Sequence, residues 1–297
     1  MQIILNNYVT FLANQLEYKK KIKIMVQKIY TWGGKFADRN LTVSDLLKAK
    51  GKQKLIQTTA TNAEEAEAAK EADFDMLLCK SPNIKNVRSG APNIFLTATI
   101  DLSKFPTEND VLREAFRSME EGADQVYTAR GPHIVELLAK EDIPVMCHLG
   151  LVPRKSGWRG GLRAIGATAD EALKLFNDFK TMENAGAFSA ESEVIHEQIM
   201  TEISKRTKML VSSLGSGWNG DIIYLFQNDI CGEEASLPRH ARAFGNIYDL
   251  KQKIKEERLS ALKKFKNAVL SKKFPNEKEI VKIKNEELDK FLEFISK

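Results

Sequence analysis

From residue 41 onward, short runs of apolar residues alternate with longer stretches in which apolar residues recur every three or four positions. A short apolar run is typical of a buried parallel strand, and the longer spacing is typical of an amphipathic helix. We therefore predict strands at residues 55–58, 75–80, 93–100, 125–128, 145–149, 188–191, 209–213 and 228–231. We predict helices near residues 62–72, 107–121, 132–140, 168–184, 193–206 and 219–227.

Capping residues mark the ends of several of these helices. Asn62 and Thr107 are suited to cap helix starts, and each is followed by acidic residues that favour the first turn. Gly122 and Gly186 follow helical stretches and suit left-handed helix ends. Strands that alternate with helices form a parallel sheet, and eight such strands close a barrel. The predicted fold class is therefore α/β, a (β/α)8 TIM barrel.

Both ends of the chain depart from this alternation. Residues 1–40 carry apolar positions with rough helical spacing up to a break at Trp32-Gly33-Gly34, so we predict an N-terminal helical arm. The barrel is assigned to residues 41–250. Residues 251–297 form a C-terminal helical extension, with helices at 250–270 and 286–295, that packs on the barrel or on a neighbouring subunit.

Composition narrows the class of protein. The 297 residues carry a net charge of +5, spread over Lys/Glu-mixed helical stretches without a nucleic-acid-binding motif, so no nucleic-acid partner is predicted. No membrane-length apolar run or signal peptide is found. The three cysteines are widely spaced and odd in number, which favours a reducing, cytoplasmic location. A mildly basic enzyme with a small anionic substrate fits this balance.

In a barrel of this kind, chemistry is located at the carboxyl ends of the strands. This rule alone selects a set of polar candidates before any family is considered. They are Lys80, Ser81, Thr99, Asp101, Tyr127, Arg130, His148, Glu191, Glu193, Ser213 and Glu233.

Four segments, in order, resemble ketopantoate hydroxymethyltransferase. They are GAPN at residues 90–93, IPVMCHLGLVP at 143–153, AGA at 185–187 before a strand that leads to Glu193, and FPNE at 274–277. The similarity covers residues 41–278. The resemblance implies a barrel of the phosphoenolpyruvate mutase and isocitrate lyase kind, whose members make or break a C–C bond next to a 2-oxo acid.

The resemblance also implies a reaction and its components. The family transfers a one-carbon unit from methylene-tetrahydrofolate to 2-oxoisovalerate in pantothenate biosynthesis. A Mg²⁺ ion stabilises the enolate, and a glutamate, matched here by Glu193, removes the C3 proton. Assembly into decamers or other large homo-oligomers is implied as well.

This sequence departs from the family where the metal is held. The family's three metal-linked carboxylates match Lys80, Thr99 and Ala129, and a substrate lysine matches Tyr127. A hard cation requires an oxygen cage, so we do not carry Mg²⁺ over and predict no metal ligands. Folate as a co-substrate stays open.

We predict that Glu193, Lys80 and His148 are catalytic. Lys80 acts as a fixed cation or as a Schiff-base nucleophile, unless it merely pairs with an acid such as Glu193 in a decayed site. Glu191 is a rival base, because residues two apart on a strand share a face. The predicted substrate-binding residues are Ser81, Thr99, Tyr127, Arg130, Glu191, Arg159 and Arg163, the last two in a Gly-rich lid or anion clamp.

The predicted function is a C–C bond-forming or bond-breaking enzyme for a small 2-oxo acid, without the Mg²⁺ site. Three alternatives remain open. The chain makes ketopantoate with a relocated metal on Asp101 and Glu191, or it is a hydrolase or another one-carbon transferase, or it is a non-catalytic metabolite-binding or assembly protein. Fold similarity does not choose among them, because function depends on the site.

Overall fold

A computed structural model describes residues 26–296, and its first element is an antiparallel hairpin of β1 (Gln27–Tyr30) and β2 (Phe36–Arg39). Tyr30 and Phe36 pair across the hairpin with ring centroids 4.8 Å apart, and Gly34 turns the chain with φ of 67°. Residues 27–39, the described end of the predicted arm, thus form a hairpin rather than a helix, while the apolar positions that suggested a helix precede residue 26. The rest of the predicted arm, residues 1–25, lies outside the described residues.

Eight parallel strands close into a barrel, as predicted. The strands follow one another around the barrel in chain order, and the last pairs with both the first and its predecessor. They are β3 (Leu55–Thr59), β4 (Met76–Lys80), β5 (Phe95–Thr99), β6 (Gln125–Thr128), β7 (Val145–Gly150), β8 (Ser189–Glu193), β9 (Leu210–Leu214) and β10 (Ile222–Tyr224).

Helices connect most of these strands. The predicted caps are confirmed, because Asn62 and Thr107 side chains accept from backbone N–H groups three residues on, and Gly122 and Gly186 have positive φ. The barrel helices are α1 (Val43–Ala49), α2 (Ala63–Glu71), α3 (Ile84–Gly90), α4 (Glu108–Glu120), α5 (Pro132–Ala139), α6 (Ala169–Asn184), α7 (Glu197–Ser204) and α8 (Gln227–Cys231).

The eighth strand is not where the sequence predicted it. Residues 228–231 belong to the short helix α8, and the predicted helix at 219–227 instead contains β10. Three residues are too few to show a period, so only pairing with β3 and β9 defines this strand. Glu233 therefore does not follow a barrel strand, and Tyr224 ends one.

Side chains fill the barrel interior in layers. An apolar layer at the amino ends of the strands consists of Leu55, Met76, Phe95, Leu210 and Ile222. Because side chains alternate along a strand, the next inward positions lie two residues further on. Most of this layer is polar, and its side chains hydrogen-bond to one another in the contacts Thr97–Gln125, Gln125–Ser189 and Ser212–Gln57. The following layer forms the site described below.

A buried ionic cluster ties β2, α3 and the loop before β6 together. Asp124 accepts from Arg39 Nε at 2.7 Å, from Arg88 Nη2 at 2.5 Å and from the backbone N of Leu96 at 2.9 Å. Arg88 also donates to the carbonyl oxygens of Ile94 and Gly122. Every charge in this cluster is thus satisfied inside the protein, which a buried ion pair requires.

The partly buried carboxyl of Asp75 gives a pH-dependent stability that can be measured. Asp75 accepts from Ile56 N at 2.7 Å, and burial raises the pKa of Asp75 to about 6 although this hydrogen bond opposes the shift. Between about pH 4 and pH 6 the native state keeps a proton that the unfolded chain releases, so stability falls as the pH rises through this window.

We expect Asp75→Asn to remove this dependence. Near pH 4 the variant should have the same free energy of unfolding as the parent, because the Asp75 carboxyl of the native parent is then neutral. At pH 7 it should be more stable by up to about 3 kcal/mol, since a shift of roughly two pKa units corresponds to that free energy. Urea denaturation at both pH values measures the difference, and parallel stability curves would show that Asp75 is ionised without penalty.

The described chain forms two compact units. The first contains residues 26–230 and 237–242 and includes the barrel, and the second contains residues 231–236 and 243–296. The second unit holds α9 (Ile247–Leu270) and α10 (Asn285–Ile295), which confirms the predicted terminal helices. How they pack, and the domain limits 1–40, 41–250 and 251–297, stay predictions. No helix of the described residues is long and apolar enough to cross a membrane.

Candidate active site

A cavity of about 570 Å³ opens at the carboxyl ends of the barrel strands. Seven residues that the strand-end rule selected lie together in its wall, namely Asp101 on the loop after β5 and six residues of barrel strands: Lys80, Thr99, Tyr127, His148, Glu191 and Glu193. Apolar side chains such as Ile100, Leu102, Phe105 and Val152 form much of the remaining wall. A concave, largely apolar cavity with a few convergent polar groups is the usual form of a small-molecule site.

Strand register explains why these residues meet. Lys80 is opposite Thr99 between β4 and β5, and Thr99 is opposite Tyr127 between β5 and β6. His148 is opposite Glu191 between β7 and β8, and Glu193 lies two residues further along β8 on the same face. The six strand positions therefore lie on five neighbouring strands, β4 to β8, on one side of the barrel mouth.

A hydrogen-bonded chain joins three of these residues. The Tyr127 hydroxyl lies 2.6 Å from His148 Nδ1, and His148 Nε2 lies 2.8 Å from Glu193 Oε2. Glu191 lies beside this chain, with Oε1 3.4 Å from both the Tyr127 hydroxyl and His148 Nε2. Both ring nitrogens of His148 are thereby engaged, which fixes the ring orientation and aims it at Glu193.

Burial and neighbouring charges set the proton affinities of this chain. Burial lowers the pKa of His148, but its hydrogen bond to Glu193 and the charges of both glutamates outweigh this and raise it. Burial raises the pKa of Glu191, and burial together with Glu191 raises that of Tyr127 well above its ordinary value. A protonated His148 can therefore hold the Glu193 carboxylate in the cavity wall.

Lys80 brings a positive charge to the cavity. Its side chain is exposed, and among residues 26–296 it has no ion pair or hydrogen bond. The ion pair with Glu193 that the sequence left open is thus not formed in the part of the chain that the structure describes. An ammonium group in a cavity wall can bind a carboxylate or stabilise an oxyanion.

Two predicted binding residues lie outside the wall of the cavity. Ser81 is fully buried beside Lys80 in the chain. Burial raises the pKa of the nearby Glu114 carboxyl, but the hydrogen bonds from Arg117 outweigh this and lower it. Arg130 donates from Nη2 to the carbonyl oxygens of Leu102 and Phe105. Arg130 therefore holds the loop after β5, which itself forms part of the wall. Direct substrate binding by Ser81 and Arg130 stays a prediction.

The two arginines of the Gly-rich loop also lie away from the cavity wall. Arg163 makes two contacts with Glu171, at 3.1 and 2.7 Å, and Arg159 lies 3.8 Å from the same carboxylate. Hydrogen bonds from Arg163 lower the pKa of Glu171 to about 2. The predicted anion clamp is thus occupied by an internal acid in this structure, and its role toward a substrate stays a prediction.

Sequence reasoning missed several residues of the site. Arg154 and Lys104 lie in the wall on loops, where no periodic pattern marks an inward position. Tyr224 was missed because the eighth strand was misplaced. Its hydroxyl is buried without a hydrogen-bond partner among the described residues. Burial, and then the charges of Glu191 and Glu193, raise the pKa of Tyr224 well above its ordinary value. The Thr99 hydroxyl is likewise buried and unpartnered in the described chain.

The side chains present at the family's metal positions do not fit Mg²⁺. The resemblance assigns the metal to the positions of Lys80, Thr99 and Ala129, which offer an ammonium, a hydroxyl and a methyl group in place of carboxylates. Mg²⁺ is a hard cation that requires oxygen ligands in octahedral geometry. The positive charge of Lys80 would repel a cation held beside Thr99, its partner in the strand register.

Another group of side chains could hold a different metal. Ligand atoms of His148, Glu191 and Glu193 all lie within 4.8 Å of one another. A nitrogen and two carboxylates suit zinc or a similar transition metal better than Mg²⁺. Asp101, the other ligand considered from the sequence, accepts from Ser103 N and Oγ at 2.9 and 2.7 Å.

Comparisons with known proteins agree with the sequence resemblance. The chain is 29% identical over 266 residues to 3-methyl-2-oxobutanoate hydroxymethyltransferase from Thermotoga neapolitana, covering 81% of this chain and 96% of that protein. The corresponding protein of Pyrobaculum aerophilum is 31% identical over 194 residues, or 64% of this chain and 71% of that one.

Among the solved structures similar to this chain is a crystal structure of 2,3-dimethylmalate lyase, a PEP mutase/isocitrate lyase superfamily member. The two are 11% identical with a TM-score of 0.47, and the match covers 76% of this chain and 88% of that one. The sequence model of one family matches residues 80–277, which is most of the barrel and part of the terminal helices. The chain belongs to the ketopantoate hydroxymethyltransferase family.

Proposed function

We propose that this protein makes or breaks a C–C bond next to a small 2-oxo acid, with Lys80 in place of the family's Mg²⁺. The observation that carries the proposal is the ammonium group of Lys80 in the same cavity wall as the Glu193–His148 pair. The family relatives are named for 3-methyl-2-oxobutanoate, and we take this acid as the first substrate to test.

The reaction divides between a base and a cation. Glu193 takes the proton from C3, and the electrons of the C–H bond form the C2–C3 double bond of an enolate while charge moves to the C2 oxygen. Lys80 stabilises this oxygen and the neighbouring carboxylate. The enolate carbon C3 then bonds to the one-carbon unit of a donor, for which the resemblance implies methylene-tetrahydrofolate. Both C–N bonds of the donor's methylene group break, water supplies the hydroxyl oxygen, and tetrahydrofolate leaves with the C3 proton and one proton of the water on its nitrogens. The reverse sequence breaks the same C–C bond.

The remaining polar groups position these two. His148 Nε2 holds one oxygen of Glu193, and the Tyr127 hydroxyl holds the other ring nitrogen, His148 Nδ1. The unpartnered hydroxyl of Thr99 is adjacent to Lys80 in the strand register and can donate to the same substrate oxygen. Arg154, whose Nη2 donates to Ala129 O at 2.5 Å, adds positive charge at the rim.

We expect Lys80→Met to weaken binding of 3-methyl-2-oxobutanoate by about tenfold to a hundredfold, since hydrogen bonds to charged groups contribute roughly 1.5–3 kcal/mol. Ligand-induced stabilisation against heat, measured over a concentration series, gives the affinity. Lys140→Met is the matched control, because Lys140 is an exposed lysine that pairs with Glu136 outside the cavity. Unchanged affinity in Lys80→Met would eliminate the cation role.

The same variant separates two roles of Lys80. A Schiff base between Lys80 and the oxo group would be trapped by borohydride as a covalent adduct, visible as a mass increase that Lys80→Met lacks. A fixed cation gives no adduct. We expect no adduct, and a trapped product would replace the fixed cation by covalent catalysis.

A second candidate function is favoured by the group of His148, Glu191 and Glu193. If these residues bind a transition metal, the protein is a 3-methyl-2-oxobutanoate hydroxymethyltransferase with a relocated metal. Metal content after dialysis with Zn²⁺, compared between the parent and Glu191→Gln, tests this directly. Stoichiometric zinc that the variant loses would favour this candidate over the first.

We further propose a cytoplasmic homo-oligomer. Cys79 and Cys147 are buried in the barrel, and burial raises the pKa of each thiol to about 12, which suits unreactive thiols in a reducing compartment. Exposed apolar side chains on α9 and α10, among them Leu262, Phe265 and Phe291, support self-assembly. Light scattering of the purified protein measures its mass in solution.

A further inference from the structure

A second cavity, of about 480 Å³, lies at the opposite end of the barrel. Its wall comes from the segments that lead into three neighbouring strands, β3, β10 and β9. These segments contribute Lys50 to Lys54, the end of α7 with the following loop, and the loop at Asn219 and Asp221. The cavity is therefore at the amino ends of the strands, away from the candidate active site.

Positive charge dominates this second cavity. Four lysines, Lys50, Lys52, Lys54 and Lys205, line it with one carboxylate, that of Asp221. Asp221 is engaged within the protein, because it accepts from Lys50 Nζ, Gly51 N and Val211 N at 2.9 Å each. Its ion pair is with Lys50, and it forms none with Lys52, Lys54 or Lys205.

Two of the remaining lysines have no carboxylate partner in the described part of the chain. Lys205 pairs with Glu202, but Lys52 and Lys54 form no ion pair. Lys54 Nζ donates to Gly220 O and lies 5.7 Å from the centre of the Trp218 ring, which holds the ammonium at the cavity wall. Burial lowers the pKa of Lys54, and Lys50 adds to this while Asp221 opposes it.

Neutral donors complete the wall. Thr201, Ser204 and Asn219 line the cavity, with Asn219 Nδ2 oriented by a hydrogen bond to Thr201 Oγ1 at 3.0 Å. Ammonium, hydroxyl and amide groups together suit an anion with several acceptor oxygens. A phosphate group presents such oxygens and carries about two negative charges near neutral pH.

We propose that this cavity binds a phosphate-bearing anion, with Lys52 and Lys54 as its main contacts. The site is independent of the 2-oxo acid chemistry, since it shares no residue with the candidate active site. A ligand here acts as an effector or stabiliser of the barrel rather than as a substrate.

Thermal unfolding in pyrophosphate and in inorganic phosphate, each compared with sodium chloride at equal ionic strength, tests the proposal. We expect both anions to raise the melting temperature beyond chloride, with pyrophosphate acting at lower concentration. Lys52→Ala combined with Lys54→Ala should weaken the apparent affinity by about tenfold or more, as the loss of a charged hydrogen bond predicts. Lys52→Ala alone, at an exposed position, should weaken it in the same direction without risk to the fold.

Two controls make the result specific. Lys85→Ala, at an exposed lysine on α3 outside the cavity, should leave the anion effect unchanged. Lys80→Met should leave it unchanged as well. Stabilisation no greater than that of chloride would overturn the proposal, and so would an anion effect that Lys80→Met removes but the Lys52/Lys54 variants keep.

Discussion

Replacing Glu193 by glutamine is expected to slow exchange of the C3 proton of 3-methyl-2-oxobutanoate by about 10²–10⁴-fold, the usual contribution of a general base. Glutamine keeps the size of the side chain and its contact with His148 but cannot accept the proton. Exchange in D₂O, followed by proton NMR, reports this step without any one-carbon donor. The prediction is therefore independent of whether folate is used.

A matched control separates chemistry from folding. Glu136→Gln removes an exposed carboxylate that pairs with Lys140 on α5, and exchange should then continue at the parent rate. If Glu193→Gln exchanges the proton as fast as the parent, Glu193 is not the base. Glu191, the buried carboxyl beside the same histidine, becomes the next residue to test.

Asp124→Ala is expected to destabilise the barrel by about 3–5 kcal/mol, because removal of one partner leaves buried charges uncompensated. Arg39 and Arg88 both depend on this carboxylate, and the backbone N of Leu96 loses its acceptor. Burial already lowers the pKa of Arg88, and the charge of Asp124 is what chiefly opposes this. Urea denaturation measures this loss of unfolding free energy, provided that the dependence of the free energy on urea concentration has the same slope in both proteins.

An exposed ion pair supplies the comparison. Asp178→Ala removes the partner of Lys174 at 3.6 Å on the surface of α6, where such pairs contribute about 0–1 kcal/mol. Both variants replace an aspartate by alanine, so the difference between their losses of unfolding free energy reports the effect of burial. A loss below about 1 kcal/mol for Asp124→Ala would mean that water enters the cluster and screens it.

The alternation of short apolar runs with helical spacing predicted most of the barrel. The predicted strand at residues 125–128 is the observed β6, and six others overlap their observed strands. Such success follows from burial on both faces, which makes each parallel strand an apolar run. The failure at β10 has a physical reason as well, because three residues held by two neighbours need no pattern of their own.

The N-terminal hairpin shows a second limit of periodicity. Residues 27–39 contain few apolar residues, and their strands are defined by pairing across the turn at Gly34. The short helices α1 and α3 were not predicted either. A sequence of seven residues spans only two helical turns, so chance spacing is hard to distinguish from a helix in each of them.

The site was predictable where strands carry it and less so where loops do. Lys80, Tyr127 and Glu193 lie at strand ends, where alternation fixes the inward face. Arg130 follows a strand and Arg163 lies in a loop. At such positions the direction of a side chain depends on tertiary contacts that the local sequence does not show. Both bind partners within the protein, a pair of carbonyl oxygens and Glu171.

The most direct test of the account is C3 proton exchange of 3-methyl-2-oxobutanoate by metal-depleted protein, measured in EDTA and again with added Mg²⁺. Lys80 and Thr99 occupy positions where the family holds its metal, so the cation that stabilises the enolate should belong to the chain itself. With Lys80 as that cation, exchange in EDTA should proceed at the rate seen with Mg²⁺. Exchange that occurs only with Mg²⁺ would contradict it.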